Sequence, residues 1–303
     1  MKKILLTGAT GFAGKNIQQY LQSKYDVIGI GSEWDLRNKE NVISVLEHSK
    51  PDIVIHAAGS VGGIGANKEN PGKFLYDNLT MGTNIIQESK AKNISKFIML
   101  GTVCSYPKFA SVPFKEEDLW LGYPEETNAP YGIAKKTLMK LVETYNEQYA
   151  FNGVNLIPVN LYGPHDHFNL TTSHVMPALI LKIKNAINNN HPSITVWGSG
   201  SASREFLYVE DLARAIELSI ESDVGPSPIN IGTGKEITIK DLVKLLAHLM
   251  GFHGEIIYDT TKPDGQPRRC LDTSKAKKLL GFEAKTNLEE GLRKTISWYE
   301  KQQ

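Results

Sequence analysis

Tyr131 and Lys135 stand four residues apart in Tyr131-Gly132-Ile133-Ala134-Lys135. On a helix that spacing puts both side chains on one face. An ammonium beside a phenol stabilises the phenolate and draws the tyrosine pKa towards neutrality. Such a tyrosine can give a proton to a carbonyl oxygen while a nicotinamide delivers a hydride. The pair also arises by chance, as a surface tyrosine and a solvated lysine, so its context decides. Thr102 follows an apolar run ending at Gly101 and offers a hydroxyl to the same substrate oxygen. A threonine hydroxyl is chemically competent for that hydrogen bond.

The hydride needs a carrier, and the N-terminus has the means to bind one. Ile4-Leu5-Leu6 runs into Gly8-Ala9-Thr10-Gly11-Phe12-Ala13-Gly14, a G-x-x-G-x-x-G loop that opens a helix. Glycines let the backbone approach a pyrophosphate, which then rests at the positive helix end. Ala57, Ala58 and Gly59 follow a second buried run and let a cofactor lie close to the sheet edge. Asp35 and Leu36 lie where an adenine could be held, and Asn78 falls in a later helix; taken singly, each is as well explained by structure. An acid at the end of strand two would bind a ribose 2′-hydroxyl and repel a 2′-phosphate. Gly31-Ser32 stands there instead, which favours NADP(H) over NAD(H). Glu33 two residues on, and a glycine loop without arginine, keep that preference modest.

These residues need a scaffold, and the first half of the chain predicts one. Apolar runs at Ile4–Leu6, Val27–Ile30, Ile53–Ile55, Lys96–Leu100 and Val154–Pro158 read as buried strands. Helical patterns near Lys15–Ser23, Pro71–Lys90 and Tyr131–Tyr149 separate them. This alternation predicts an α/β fold of Rossmann type, a doubly wound parallel sheet with helices on both faces. It spans residues 1–162. Residues 163–303 read as a smaller C-terminal substrate-binding lobe, with some segments returning to the sheet. There, helices near Met176–Asn188, Val209–Glu221, Ile239–Met250 and Leu288–Lys301 alternate with short strands at Ile194–Trp197 and Glu255–Tyr258.

Composition narrows the function. With 303 residues, 41% apolar, 22% charged and a net charge of +1, the chain is an ordinary globular protein with no electrostatic case for nucleic acid or a membrane surface. Two cysteines, Cys104 and Cys270, are too few for a disulfide framework, and no metal-ligand spacing occurs. The opening apolar run is too short for a signal sequence. A reducing, cytoplasmic setting is expected.

Several segments carry a more specific resemblance. They are Val61-Gly62-Gly63-Ile64, Cys104-Ser105-Tyr106-Pro107-Lys108, Glu126-Thr127-Asn128 before Pro130-Tyr131, and Asn160-Leu161-Tyr162-Gly163-Pro164-His165-Asp166. Further on come Ser173-His174-Val175-Met176-Pro177-Ala178-Leu179, Val196-Trp197-Gly198-Ser199-Gly200, Arg204-Glu205-Phe206 and Lys262-Pro263-Asp264-Gly265-Gln266-Pro267-Arg268-Arg269. With these, the whole chain resembles the GDP-L-fucose synthase family of extended short-chain dehydrogenases. That family epimerises carbons 3 and 5 of a GDP-4-keto-6-deoxy-hexose and reduces the ketone with NADPH.

The resemblance implies a catalytic set of Thr102, Tyr131, Lys135, Cys104 and His174. Cys104 matches the epimerising base and His174 the acid, His174 also lying beside the cofactor. A ketone acidifies the neighbouring C–H bonds, and a thiolate and an imidazole on opposite faces can exchange a proton with inversion. By residue type alone, Cys104 is a small residue after a strand and His174 a helix cap. Gly8, Thr10, Gly11, Phe12, Ala13, Gly14, Ser32, Asp35, Leu36, Ala57, Ala58, Gly59 and Asn78 match cofactor positions. Lys182, Arg204 and Arg269 match phosphate or nucleotide contacts, and Asn160, Val175 and Trp197 the substrate pocket. The chain departs from the family at Thr102-Val103, usually two serines, at Gly132, usually alanine, and at Lys182, often arginine. Two alternatives stand beside the epimerase-reductase: a C4-reductase of a GDP-4-keto hexose or heptose without epimerisation, and a non-catalytic NAD(P)-binding sensor or scaffold. Extended dehydrogenases pair through two helices, which implies a homodimer.

Overall fold

The computed structural model describes residues 1–62, 64–170, 172–262 and 264–302. Gly63 and Pro263, within two of the segments quoted above, lie outside the described residues. In chain order the first half folds as β1 (Lys3–Thr7), α1 (Phe12–Leu21), β2 (Asp26–Ile30), α2 (Lys39–Ser49), β3 (Ile53–His56), α3 (Ile64–Glu69), α4 (Pro71–Ala91), β4 (Lys96–Leu100), α5 (Ala129–Tyr149) and β5 (Gly153–Pro158). The central strands are continuously apolar because both faces are covered. Ile4, Leu5, Leu6, Val54, Ile55, Phe97, Ile98 and Met99 have no exposed surface.

The second half adds β6 (Asn160–Tyr162), α6 (Val175–Asn188), β7 (Ser193–Trp197), β8 (Ser203–Tyr208), α7 (Val209–Glu221), β9 (Ile229–Ile231), β10 (Glu236–Thr238), α8 (Ile239–Met250), β11 (Glu255–Asp259), α9 (Ser274–Leu280) and α10 (Leu288–Glu300). The main sheet has the order β2-β1-β3-β4-β5-β9, and every pairing in it is parallel. Its helices form two layers, α1 with α7 and α2 with α4 and α5. The α/β Rossmann fold is as expected.

Strand order reverses at β1, with β2 on one side and β3 on the other. Open α/β sheets bind ligands at such a switch point, beyond the carboxyl ends of the strands. The glycine loop after β1 and the Ala57–Gly59 segment after β3 flank it.

A separate apolar cluster forms the second lobe, built from Met176, Ile180, Ile183, Val196, Phe206, Leu246 and Leu292 among others. Here β6 and β10 pair with β8, and β11 with β7. The chain crosses between the lobes more than once. β6 joins β8 before residue 163, while α7, β9 and α9 return to the parallel sheet. The substrate-facing segments therefore hang on strands rooted in both cores.

Candidate active site

The glycine loop is held against the switch point. Ala9 donates its N–H to Ile30 at 2.9 Å, joining the loop to the end of β2. Gly8 has φ +73, and a Cβ there would stand 2.8 Å from the Ala58 backbone, so only glycine fits. Gly11 is the N-cap of α1, with no side chain filling the helix end. Thr10 and Gly11 are exposed and Phe12 and Ala13 partly so. Bare amides at a helix N-terminus make this a fitting seat for a pyrophosphate.

Thr7 completes the cradle. Its buried hydroxyl bonds His56 Nδ1 at 2.9 Å and accepts from the Ala58 N–H at 3.2 Å. His56 is fully enclosed; burial, aided by the charge of Lys135, holds its pKa well below the ordinary value. It is a neutral structural histidine that fixes where Ala57-Ala58-Gly59 leave β3.

Two residues assigned to the cofactor act one step removed. Asn78 is buried and spends its amide on backbone: Oδ1 accepts from Ser60 N, and Nδ2 donates to Ser60 O and Phe74 O. It pins the Gly59-Ser60 loop. Asp35 does not present a free carboxylate to an adenine, since both its oxygens are taken by the Arg37 guanidinium at 2.9 Å. Leu36 is buried in the core below, and Ser32 is exposed. The carboxylate of Glu33 folds back, its Oε1 accepting from Gly31 N–H at 2.6 Å.

The Tyr131–Lys135 pair expected from the sequence lies near Thr102, at the carboxyl end of β4. Thr102 caps a short 3-10 turn, Val103–Ser105, by accepting from Cys104 N. The Tyr131 phenol lies close enough for the Thr102 hydroxyl to lower its pKa. Helix α5 lies close on this turn. A Cβ on Gly132 would collide with the Cys104 carbonyl, and Ser105 Oγ donates to Gly132 O at 2.9 Å. The glycine where the family usually has alanine thus lets α5 bring Tyr131 up against Thr102 and Cys104.

The electrostatics differ from the expectation for an isolated Tyr–Lys pair. Burial raises the Tyr131 pKa, with the nearby Cys104 adding to it and the Thr102 hydroxyl opposing it. Lys135 is pushed down to about 8 by burial and donates to Ala58 O at 3.1 Å rather than to the phenol. Desolvation is the largest influence on both groups. The phenol is therefore protonated at neutral pH, the form a proton donor needs. Lys135 reaches across from α5 to the cofactor side of the cleft.

Beyond Cys104 the cleft turns cationic. Arg269 is buried, with Nε and Nη2 on Gln266 Oε1 at 3.2 and 3.0 Å and Nη1 at 3.6 Å from Cys104 Sγ. Arg204 donates to the Ser203 carbonyl at 2.6 Å. Burial first, and the charge of Arg269 second, lower its pKa to about 10. A buried guanidinium beside a second one calls for an anion next to it. Asp264 fixes this wall, accepting from Ser199 N–H and Oγ at 2.7 and 2.9 Å.

The remaining pocket residues lie on the second lobe. Trp197 is 62% exposed, with Lys182 and Lys262 Nζ at 5.6 and 5.8 Å from its ring centre. Lys182 donates to Thr195 O, and burial lowers its pKa. Asn160 donates to Glu205 O at 2.8 Å, and Val175 is exposed at the start of α6. His174 is the N-cap of α6 but makes no side-chain cap bond. Its side chain is open to solvent, yet the surrounding walls and His167 lower its pKa. Among the described residues no hydrogen bond joins His174 to Cys104 or Tyr131.

Sequence patterns do not reveal Glu205, which has no exposed surface. Its carboxylate accepts from the backbone of Thr233, Gly234 and Leu271, fastening β8 and Arg204 to two distant loops. Gln266, the partner of Arg269, lies in a segment singled out by resemblance but has no chemical signature of its own.

A dinucleotide-binding sheet with Thr102, Tyr131 and Lys135 gathered at the carboxyl end of β4 defines a nicotinamide-dependent oxidoreductase of short-chain type. The profile of the NAD dependent epimerase/dehydratase family matches residues 4–232. The chain is 42% identical over 301 residues to GDP-L-colitose synthase of Yersinia pseudotuberculosis, covering 98% of this chain and 97% of that one. It is 38% identical to GDP-L-fucose synthase of Escherichia coli (strain K12), covering 98% and 96%. Among solved structures, a GDP-6-OMe-4-keto-L-xylo-heptose reductase from C. jejuni superposes with a TM-score of 0.91 at 29% identity, covering 100% and 98%. A GDP-L-fucose synthetase from Naegleria fowleri bound to NADP gives 0.90 at 30%, covering 98% and 94%. The chain belongs to the NAD dependent epimerase/dehydratase family and, within it, to the GDP-L-fucose synthase family. Among the described residues no helix is long and apolar enough to cross a membrane.

Proposed function

We propose that this protein reduces the 4-keto group of a GDP-linked 4-keto-deoxy sugar with NADPH, after epimerising carbons 3 and 5. The observation that carries this is the continuity of the site. Thr102 and Tyr131 lie next to Cys104, and Cys104 next to Arg269 and Arg204, so a proton donor, a thiol and two guanidiniums stand side by side.

Each residue has a task. The glycine loop and Ala57-Ala58-Gly59 seat the dinucleotide. NADPH supplies a hydride to the ketone carbon. Thr102 holds the ketone oxygen, and Tyr131 gives it the proton. Lys135 keeps a positive charge near the phenolate that this leaves. Arg204 and Arg269 bind the diphosphate, and Trp197 with Lys182 lines its nucleoside side, with Asn160 and Val175 along the sugar. Before reduction, Cys104 removes a proton from the carbon next to the ketone and His174 returns one to the other face.

A C4-reductase without epimerisation is the second reading. The close superposition on a heptose reductase favours it. Supply of GDP-4-keto-6-deoxymannose and NADPH tests the proposal: coenzyme oxidation with a GDP-6-deoxyhexose product inverted at carbons 3 and 5 supports it, and no turnover, or a product without inversion, opposes it. We place the enzyme in the cytoplasm as a homodimer paired through α4 and α5, the commonest symmetry for a soluble oligomer. Light scattering at micromolar concentration should give twice the chain mass; a monomer mass opposes this.

A further inference from the structure

The end of β2 carries a carboxylate supplied from beyond the strand. Gly31 and Ser32 have none. Yet Glu33 turns back, so that its Oε1 accepts from Gly31 N–H at 2.6 Å. Its other oxygen is equally close to the strand end: a Cβ built on Gly31 would lie 2.7 Å from Glu33 Oε2 and would also strike the Thr10 side chain. Thr10 of the glycine loop and Glu33 therefore converge on one point. That point is the mouth between the pyrophosphate loop and the end of β2, where a dinucleotide's adenosine ribose is bound in this fold. Glu33 is solvent-exposed, and its bonds to backbone amides lower its pKa, keeping it ionised at neutral pH.

No basic group is bonded to this carboxylate among the described residues. Arg37, the nearest arginine in sequence, is committed to Asp35 and to Asp77 at 3.0 Å. The environment of a ribose 2′-substituent is thus an anion and a hydroxyl rather than a cation. A 2′-hydroxyl can donate to such a carboxylate; a 2′-phosphate is repelled by it.

We propose that Glu33 is a specificity-determining residue that weakens discrimination between the two nicotinamide dinucleotides. Folded onto Gly31, it admits NAD(H); NADP(H) binds at full strength only when the side chain swings outward. The inference rests on the proposed use of a nicotinamide dinucleotide at this site, and it adds that NADPH use is held below what the fold would otherwise allow.

The test is titration calorimetry of NADP⁺ and NAD⁺ into the wild type, Glu33→Gln and Glu33→Ala. Glutamine keeps an acceptor for Gly31 N–H but not the charge. In both variants the affinity ratio of NADP⁺ to NAD⁺ should rise by about tenfold, chiefly through tighter NADP⁺ binding. The gain should shrink at high salt, because the group is exposed. Glu40→Gln, in the first turn of α2, should leave the ratio unchanged. A ratio that moves less than about twofold in both Glu33 variants, while both dinucleotides bind, overturns the inference alone. A wild type that binds neither dinucleotide overturns the underlying site assignment, and the inference with it.

Discussion

Nη1 of Arg269 lies 3.6 Å from the sulfur of Cys104. The rest of that guanidinium is held by Gln266, so its place is fixed before any ligand arrives. Binding and proton chemistry are thereby joined: the cation that would hold a diphosphate also stands beside the residue assigned to pull a proton from the sugar. Arg269→Met should weaken GDP binding by about 10- to 100-fold, the worth of a charge-assisted hydrogen bond. Gln266→Ala should weaken it less, by letting the guanidinium move. Calorimetry with GDP checks both; unchanged affinity in Arg269→Met would remove Arg269 from the nucleotide site.

Tyr131 is the assigned proton donor, and the Thr102 hydroxyl beside it eases ionisation of its phenol. Tyr131→Phe should lose about two to four orders of magnitude in reductase turnover. Its melting temperature and dinucleotide affinity should stay near those of the wild type, because only a hydroxyl in the cleft is removed. Thr102→Ala should lose less, since it positions the oxygen without supplying the proton. Steady-state rates beside thermal melts make the comparison. Near-normal turnover in Tyr131→Phe would contradict the assignment.

Lys135 gives a stability signature that needs no substrate. Its folded pKa is about 8, against an ordinary 10.5. Between those values the unfolded chain holds a proton that the folded chain has released, so stability rises with pH across that window. Below about pH 8 the wild type bears the full cost of a buried cation. Lys135→Met should therefore melt higher than the wild type at neutral pH while losing reductase activity, with the gap closing between pH 8 and 10.5. A melting difference that does not change with pH would mean that Lys135 is not buried as a cation.

The legible parts of this molecule are those whose signal is local. β1, β3 and β4 are covered on both faces, and so read as apolar runs; β5 reads the same way despite the buried Asn155 at its middle, whose amide donates to Met139 O and Pro226 O. Thr102, Tyr131 and Lys135 were recognisable by spacing because a helix turn and a strand end fix their geometry. β9 was not, being three residues long with the buried Asn230 at its centre, where Tyr106, Phe114 and Asp272 satisfy the side chain. Glu205 escaped because a carboxylate in a strand looks like surface until Thr233, Gly234 and Leu271 close over it. Asp35 and Glu33 show the same limit on a smaller scale. Sequence places both near the adenosine end, but only the fold gives Asp35 to Arg37 and returns Glu33 to Gly31.

The most direct test of the central claim, that Cys104 and His174 epimerise the sugar that Tyr131 reduces, is product NMR after turnover of GDP-4-keto-6-deoxymannose with NADPH in deuterated water. The wild type should place solvent deuterium at C3 and C5. Cys104→Ser should abolish that incorporation while still reducing an already epimerised 4-keto sugar, since Thr102, Tyr131 and Lys135 are untouched. His174→Asn should impair inversion, because the opposite face can no longer be protonated. Reduction by the wild type with no deuterium at either carbon would contradict the claim, leaving Cys104 and His174 as walls of a simple C4-reductase pocket.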